Sequence, residues 1–362
     1  MKRATIFSII FFFSVGNHAL AIDTLDYKKV TELYEKAFLE MQQLITNNNP
    51  FSFKKAVFLG ENTFLGNILD YNAFNTKIIQ YTILMNAWMK ANPLRNYHYS
   101  DSVDFLENYA IYKIMKDSIA IVDPGGKKTY TTIPFVYDFY DFDGKKDWSK
   151  MFVSKLLYTY SGNCHNLPYL YKILADELST TSWLSLAPNH IYIKNRCKKI
   201  GWYNTELTSG EFPIDAWISA SGYVPLNAIQ NGIYMDTLSN QQAIALCVLD
   251  LAKGYEFQTK NYFDGFIIKC CDLVLQYHPV NVQALLLKAE TLKRVYEKQL
   301  NNKEETAKDT YKNMEQLYVK LFDLGYREMP EKMYMEWLMS VNTQKGKYSN
   351  KQLKQAINGG KK

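Results

Sequence analysis

The chain has 362 residues, 47% hydrophobic and 22% charged, a balance that excludes a disordered or collagen-like polymer and supplies core enough for two or three packed units. The formal charge of +6 is concentrated at the ends: Lys2 and Arg3 open the chain, and Lys345, Lys347, Lys351, Lys354, Lys361 and Lys362 crowd an acid-free C-terminal tail. The body between them is slightly acidic, without the clustered cationic footprint that phosphate backbones require, so no nucleic-acid partner is expected.

In chain order, Lys2 and Arg3 precede an apolar run from Ile6 to Val15 broken only by Ser8 and Ser14, and Ala19-Leu20-Ala21 follows as a small-x-small cleavage pattern. This predicts a signal peptide over 1–21 and an exported, periplasmic or secreted product. No later stretch approaches the ~18 apolar residues of a spanning helix, so no stable transmembrane span is expected.

From Asp26 to about Trp88 apolar residues recur three and four apart (Val30, Leu33, Tyr34, Phe38, Met41, Leu44), predicting a helical N-terminal lobe over 22–99. Residues 118–138 turn β-branched and aromatic around a Pro-Gly-Gly-Lys-Lys turn and predict a strand hairpin. Leu167, Leu170, Tyr171, Leu174 and Leu178 then mark one face of a helix, with Pro168 tolerated in its first turn and Cys164 at its start. Short runs at 183–187, 190–194 and 202–207, with a turn at Cys197–Gly201, predict three strands and an α+β core over 100–232.

Beyond Asn240 the pattern is helical. A stripe of Tyr262, Phe266, Cys270, Val274 and Leu275, broken at His278-Pro279-x-Asn281 and resumed at Ala284-Leu285, resembles a tetratricopeptide repeat junction. A tetratricopeptide-like region over 233–342, offering a surface to a protein partner, and a frayed basic tail over 343–362 complete the expected organisation.

Five cysteines follow the leader, and an odd number in an oxidising compartment leaves one unpaired. Cys247, Cys270 and Cys271 lie in apolar helical patterns and read as inert core. Cys164 differs, because a helix N-terminus supplies unpaired amides and a positive dipole end that stabilise a thiolate. His190 begins a strand whose alternation places His190, Tyr192 and Lys194 on one face, where an imidazole can serve the thiol as base. The next strand carries Asn204 and Glu206 on one face, either able to orient that imidazole. A hairpin centred near 198 places Glu206 opposite His190, and one centred near 197 places Asn204 there.

These residues carry a resemblance. Gly162-Asn163-Cys164 with the helix from Leu170 to Ala175 looks like the Gly-x-Cys helix start of the transglutaminase-like (papain-like cysteine) superfamily. His190 after Ala187-Pro188-Asn189 resembles the family's strand-initial histidine, and Trp202, Glu206, Thr208 and Gly210 stand at the spacings of its Trp-x-x-x-Asp-x-Thr-x-Gly run, with Glu for Asp. The resemblance spans about 158–224. It implies a papain-like core in which Cys164 attacks an amide carbonyl to form a thioester, His190 is general base and then acid, and Glu206 orients it, with Asn204 second.

The expected product is an exported amide hydrolase or transglutaminase-type enzyme acting on peptide or protein substrates without a cofactor. The competing reading is an inactive scaffold of the same fold that binds a partner through its helical tail. Tyr158, Tyr160 and Asn163 are the candidate oxyanion donors by position. Cys164, His165, His190 and Cys197 match no paired-ligand spacing, so no metal site is expected. His165 reads as a first-turn surface or supporting residue, the acidic run from Asp138 to Gly144 as a turn, and Cys197 as near enough to His190 to raise a regulatory disulfide with Cys164.

Overall fold

The computed structural model describes residues 27–46, 52–122, 129–344 and 346–358. The predicted leader and the turn at 124–128 lie outside them. Four helices come first: α1 (Tyr27–Thr46), α2 (Phe53–Phe64), α3 (Tyr71–Ala91) and α4 (Ser102–Lys116). Ser52 and Asp70 cap α2 and α3 by accepting the Lys55 and Asn72 amides at 3.1 and 2.8 Å, each such cap stabilising a helix by ~1 kcal/mol.

The predicted hairpin forms from β1 (Ala120–Val122) and β2 (Thr129–Thr131), antiparallel with Ala120 opposite Thr131. A two-residue strand β3 (Val136–Tyr137) then pairs in parallel with β4 (Ser161–Gly162), which follows α5 (Val153–Thr159). This pairing ties the segment before Cys164 to an earlier part of the chain.

Helix α6 (Asn166–Leu178) is the centre of the fold. Its apolar periodicity predicts one buried face, yet every residue from Asn166 to Ala175 is buried. The reason is packing on all sides, against α2 to α5 and against a sheet of β5 (Trp183–Ala187), β6 (His190–Cys197) and β7 (Gly201–Thr205). Leu167, Leu170, Ile173 and Leu174 are fully enclosed, each worth ~1.5–3 kcal/mol in transfer from water.

The sheet is an antiparallel meander in the order β5-β6-β7 that divides two cores. Leu184 and Ile193 face α6 and a cluster running from Tyr34 to Leu287. That cluster joins α1 and α2 to α9 (Asn240–Thr259) and α10 (Phe266–Tyr277). Tyr34 meets Tyr255 and Phe266 edge-on at 5.1 and 5.8 Å between centroids. Ala187 and Tyr192 face the other way, into a core with Trp217, Val282, Leu321, Tyr334 and Trp337. Its helices are α7 (Asp215–Ser221), α8 (Leu226–Gln230), α11 (Val282–Asn301), α12 (Ala307–Asp323) and α13 (Glu331–Thr343).

The fold is therefore α+β. The predicted break at 278–281 separates α10 from α11, and Asn281 caps α11 by accepting the Ala284 amide at 2.9 Å. Tyr262 lies before α10 and not on its stripe, since the helix starts only after Gly265 at φ +83°. Among the described residues no helix is long and apolar enough to cross a membrane.

The tail corrects its expectation. Residues 346–358 are not a frayed end: α14 (Lys351–Asn358) buries Leu353 and Ala356 among Tyr97, Phe105, Cys197, Tyr203 and Phe212. Spaced three apart, Leu353 and Ala356 share one helical face that can dock, and Lys354 meets Glu211 at 2.7 Å while the lysine-rich face stays out.

Candidate active site

Cys164 stands where β4 turns into α6. The first intrahelical bond of that turn runs from the Leu167 amide to the Asn163 carbonyl at 3.2 Å, so the amides of residues 163–166 need other acceptors. Asn163 and Asn166 supply them reciprocally: Asn163 Oδ1 accepts from the amides of His165 and Asn166 at 3.0 and 3.2 Å, and Asn166 Oδ1 accepts from that of Asn163 at 2.9 Å. Gly162 is required beside them, because a Cβ there would collide with Asn166 Oδ1 and Leu156.

His190 begins β6, directly across from Ala187 on β5, with Asn189 at φ 54° in the tight turn. Its Nε2 lies 2.6 Å from Glu206 Oε2, with both side chains buried. Facing a carboxylate, Nε2 donates, and Nδ1 is left to face Cys164 and the Tyr334 hydroxyl, 3.5 Å away. Glu206 is held in turn by the Thr208 amide, which donates to Oε1 at 2.8 Å, and Gly210 closes the turn at φ +69°.

Neither expected hairpin register occurs. Cys197 pairs with Gly201, leaving Lys198–Ile200 as a three-residue loop, and Gly201 takes φ +83°, the left-handed residue such loops carry. Continued along this register, His190 would face Thr208, but β7 ends at Thr205 and the chain turns back at Glu206, which bridges Glu211. Glu206 therefore reaches His190 diagonally. Asn204 is not brought to His190, since its amide donates to Pro213 O and Asp215 Oδ1 at 2.9 and 2.8 Å.

Burial opposes ionisation in all three residues and is outweighed in each. For Cys164 the hydrogen bond and charge of His190 hold the thiol below its ordinary value. For His190 the Glu206 carboxylate and the thiol overcome desolvation and push the imidazole up to about 10. For Glu206 the His190 charge keeps the carboxyl below the usual range. Each shift favours the charged form, so the three residues together favour a thiolate–imidazolium pair backed by a carboxylate.

The pair is covered. Tyr334 of α13 places its hydroxyl 3.1 Å from Cys164 Sγ, and Trp337, one turn on, meets the His190 ring edge-on at 4.8 Å. Cys164 and His190 are left 8% and 4% exposed. The sequence points to neither aromatic, because nothing in a Pro-capped amphipathic helix far along the chain marks where it docks.

The remaining candidates separate. Tyr158 is exposed on α5, and Tyr160 takes the left-handed C-cap and packs on Phe135. The Asn163 side-chain Nδ2 donates to Phe142 O and Lys150 O. Cys197 lies seven residues along β6 from His190, roughly 23 Å at strand rise, too far for the disulfide with Cys164 raised from sequence. All five cysteines are free. The acidic run is a set of turns in which Asp141 accepts the Lys146 and Asp147 amides at 2.9 and 2.8 Å.

His165 is neither at the surface nor pointed at the thiol. Its Nδ1 meets Met151 O and its Nε2 meets Asp250 of α9, each at 3.0 Å. Both acceptors require a proton from the ring, and burial notwithstanding, Asp250 raises the imidazole above its ordinary value. A cavity of about 30 Å³ lined by Glu61, His165, Tyr169 and Asp250 lies beside it. There burial pushes the Glu61 carboxyl up to about 7, against the Val153 and Ser154 amides that it accepts. Among the described residues no group of three or more His, Cys, Asp or Glu side chains is placed to hold a metal ion. Set against family models, curated proteins and solved structures, the chain matches none of them.

Proposed function

We propose that this chain is an exported cysteine acyl-transfer enzyme of transglutaminase-like (papain-like) type, closed by its own helix α13. The observation that carries the reading is the buried line Cys164, His190, Glu206, with 2.6 Å between imidazole and carboxylate and the second ring nitrogen left toward the thiol. The other nitrogen, Nδ1, lies on the side of the thiol with the Tyr334 hydroxyl 3.5 Å away, and is placed for proton traffic once Tyr334 gives way.

In this reading the Cys164 thiolate attacks a peptide or protein amide carbonyl, His190 protonates the leaving amine, and water or a second amine resolves the thioester. Glu206 holds the ring in place and stabilises its charge. Substrate needs the space that Tyr334 fills. A groove of about 570 Å³ between α7 and α13, lined by Trp217, Ser221, Tyr223 and Trp337, shares Trp337 with the cover over His190, so withdrawing that ring opens a path for an extended chain.

One observation favours the second reading, an inactive scaffold with a partner-binding helical tail: Tyr334 and Trp337 pack into a continuous apolar core and are not laid loosely on it. Iodoacetamide labelling read by peptide mass spectrometry separates the two. The enzyme reading expects Cys164 of Tyr334→Ala to label at pH 7 well ahead of the other four cysteines. Labelling no faster than Cys247 or Cys270, whose thiols burial pushes well up, would leave the scaffold.

A further inference from the structure

An acyl-transfer site also needs donors for the oxygen that becomes charged in the tetrahedral intermediate. Three of the four amides at the start of α6 are taken by the Asn163 and Asn166 side chains. The fourth belongs to Cys164, and Tyr137 packs against the apolar cluster that encloses Cys164, near enough for the thiol to act on its hydroxyl.

Tyr137 is held there by backbone. The Val136 amide donates to Tyr160 O at 2.9 Å and the Asp138 amide to Gly162 O at 2.7 Å, so bonds on either side clamp Tyr137 across from Gly162, two residues before the nucleophile. The ring packs on Phe139 at 4.7 Å. Its hydroxyl is nonetheless buried and completes no hydrogen bond with a described residue. Leaving a buried hydroxyl unpaired is unfavourable, a cost that a bound oxyanion would remove.

We propose that Tyr137 is a catalytic residue, donating its O–H to the substrate oxyanion beside the backbone N–H of Cys164. This rests on the acyl-transfer reading above. The Cys164 thiolate forms the C–S bond as the carbonyl π pair moves onto oxygen, and that oxygen accepts both hydrogen bonds without taking a proton. Collapse restores the carbonyl and breaks the bond to the leaving group, which takes the proton from His190. Burial, then the neighbouring thiol, keeps the phenol protonated far above its ordinary range, so it stays a donor at every working pH. Tyr334 does not serve this role, because its hydroxyl lies between the thiol and His190 Nδ1, where the acyl group itself must enter.

The test compares two reagents on Cys164 in the full chain carrying Tyr334→Ala. Iodoacetamide alkylates at a saturated carbon and forms no oxyanion; p-nitrophenyl acetate acylates through one. Tyr137→Phe keeps the ring and removes the hydroxyl. Since one lost oxyanion donor costs about 10²–10³ in acyl transfer, acylation by this activated ester is expected to slow by about 10-fold or more, with alkylation unchanged within about twofold. Phe139→Leu, which loosens the same packing and keeps the hydroxyl, should leave the ratio of the two rates unchanged. Equal rates for Tyr137→Phe and its parent, or a parallel fall in both reactions, overturns the assignment. A parent Cys164 inert to both reagents instead sinks the acyl-transfer reading and takes this inference with it.

Discussion

Two histidines flank the same cysteine, and each is bonded to a carboxylate, His190 to one in its own hairpin and His165 to one 85 residues away. His190 gives Nε2 to Glu206 and turns Nδ1 to the thiol; His165, adjacent to Cys164 in sequence, spends Nδ1 on Met151 O and Nε2 on Asp250. Both are raised above the ordinary imidazole value against desolvation. The comparison teaches that a shifted pKa does not by itself mark a proton carrier: His165 spends both ring nitrogens on fixed acceptors, whereas Nδ1 of His190 meets a hydroxyl at 3.5 Å on the side of the thiol. His165 instead ties the start of α6 to α9, fixing where the thiol sits.

The strongest way to break that contrast is to remove each imidazole's role in turn, in the Tyr334→Ala background. His190→Ala should cut Cys164 alkylation at pH 7 by about 100-fold, in line with the 10²–10⁴ that a positioned base contributes, and the pH profile should return to that of an ordinary thiol. An unchanged rate would place His190 with His165 as structural.

Glu206→Gln should be milder, a loss of about 10-fold, because it removes charge and keeps shape. With the carboxylate gone the imidazolium loses its chief support, so the thiolate should form only at higher pH. Measured against pH, the labelling curve should shift to the right by about one unit for each tenfold loss.

The cover works in the opposite direction. Tyr334→Ala should speed labelling over the native chain by about 10-fold by freeing Sγ from the 3.1 Å contact. Tyr334→Phe should recover little of this, since the ring still fills the space. A native chain that labels as fast as Tyr334→Ala would remove α13 from any gating role.

The smallest effect sharpens the other side. Asp250→Asn should cost about 1.5–3 kcal/mol of stability, the scale of a hydrogen bond to a charged partner, with Cys164 labelling changed less than threefold. The sign of its pH dependence follows from the raised His165 value. A histidine with its folded pKa above the unfolded 6.5 contributes fully below 6.5 and loses that contribution as pH rises through the folded value. Denaturant midpoints of native chain and variant should therefore differ most near pH 6 and converge at higher pH.

Much of the site was legible because it is local. Gly162, Cys164 and α6 form one turn-to-helix unit whose apolar spacing reads directly, and His190 to Gly210 is a single hairpin and its closing turn. Within that hairpin the register was not legible: period-two alternation tells which residues share a face, while the pairing depends on a three-residue loop and the left-handed Gly201. The all-round burial of α6 was likewise out of reach, because its second face is covered by helices far from it in sequence, and so was the docking of α14.

By itself the sequence determined the α+β class, the helix that presents Cys164 and the strand that begins at His190, since each follows from periodicity within a few turns of chain, while it left Glu206 and Asn204 both open as partners of the imidazole. Only the tertiary structure decided which atoms meet. Tyr334 reaches the thiol from 170 residues away and Asp250 reaches His165 from 85. Contacts at such separations leave no periodic mark in either segment. They are chosen when the cores on the two faces of the β5-β6-β7 sheet close around it, each burying apolar surface that neither segment can bury alone.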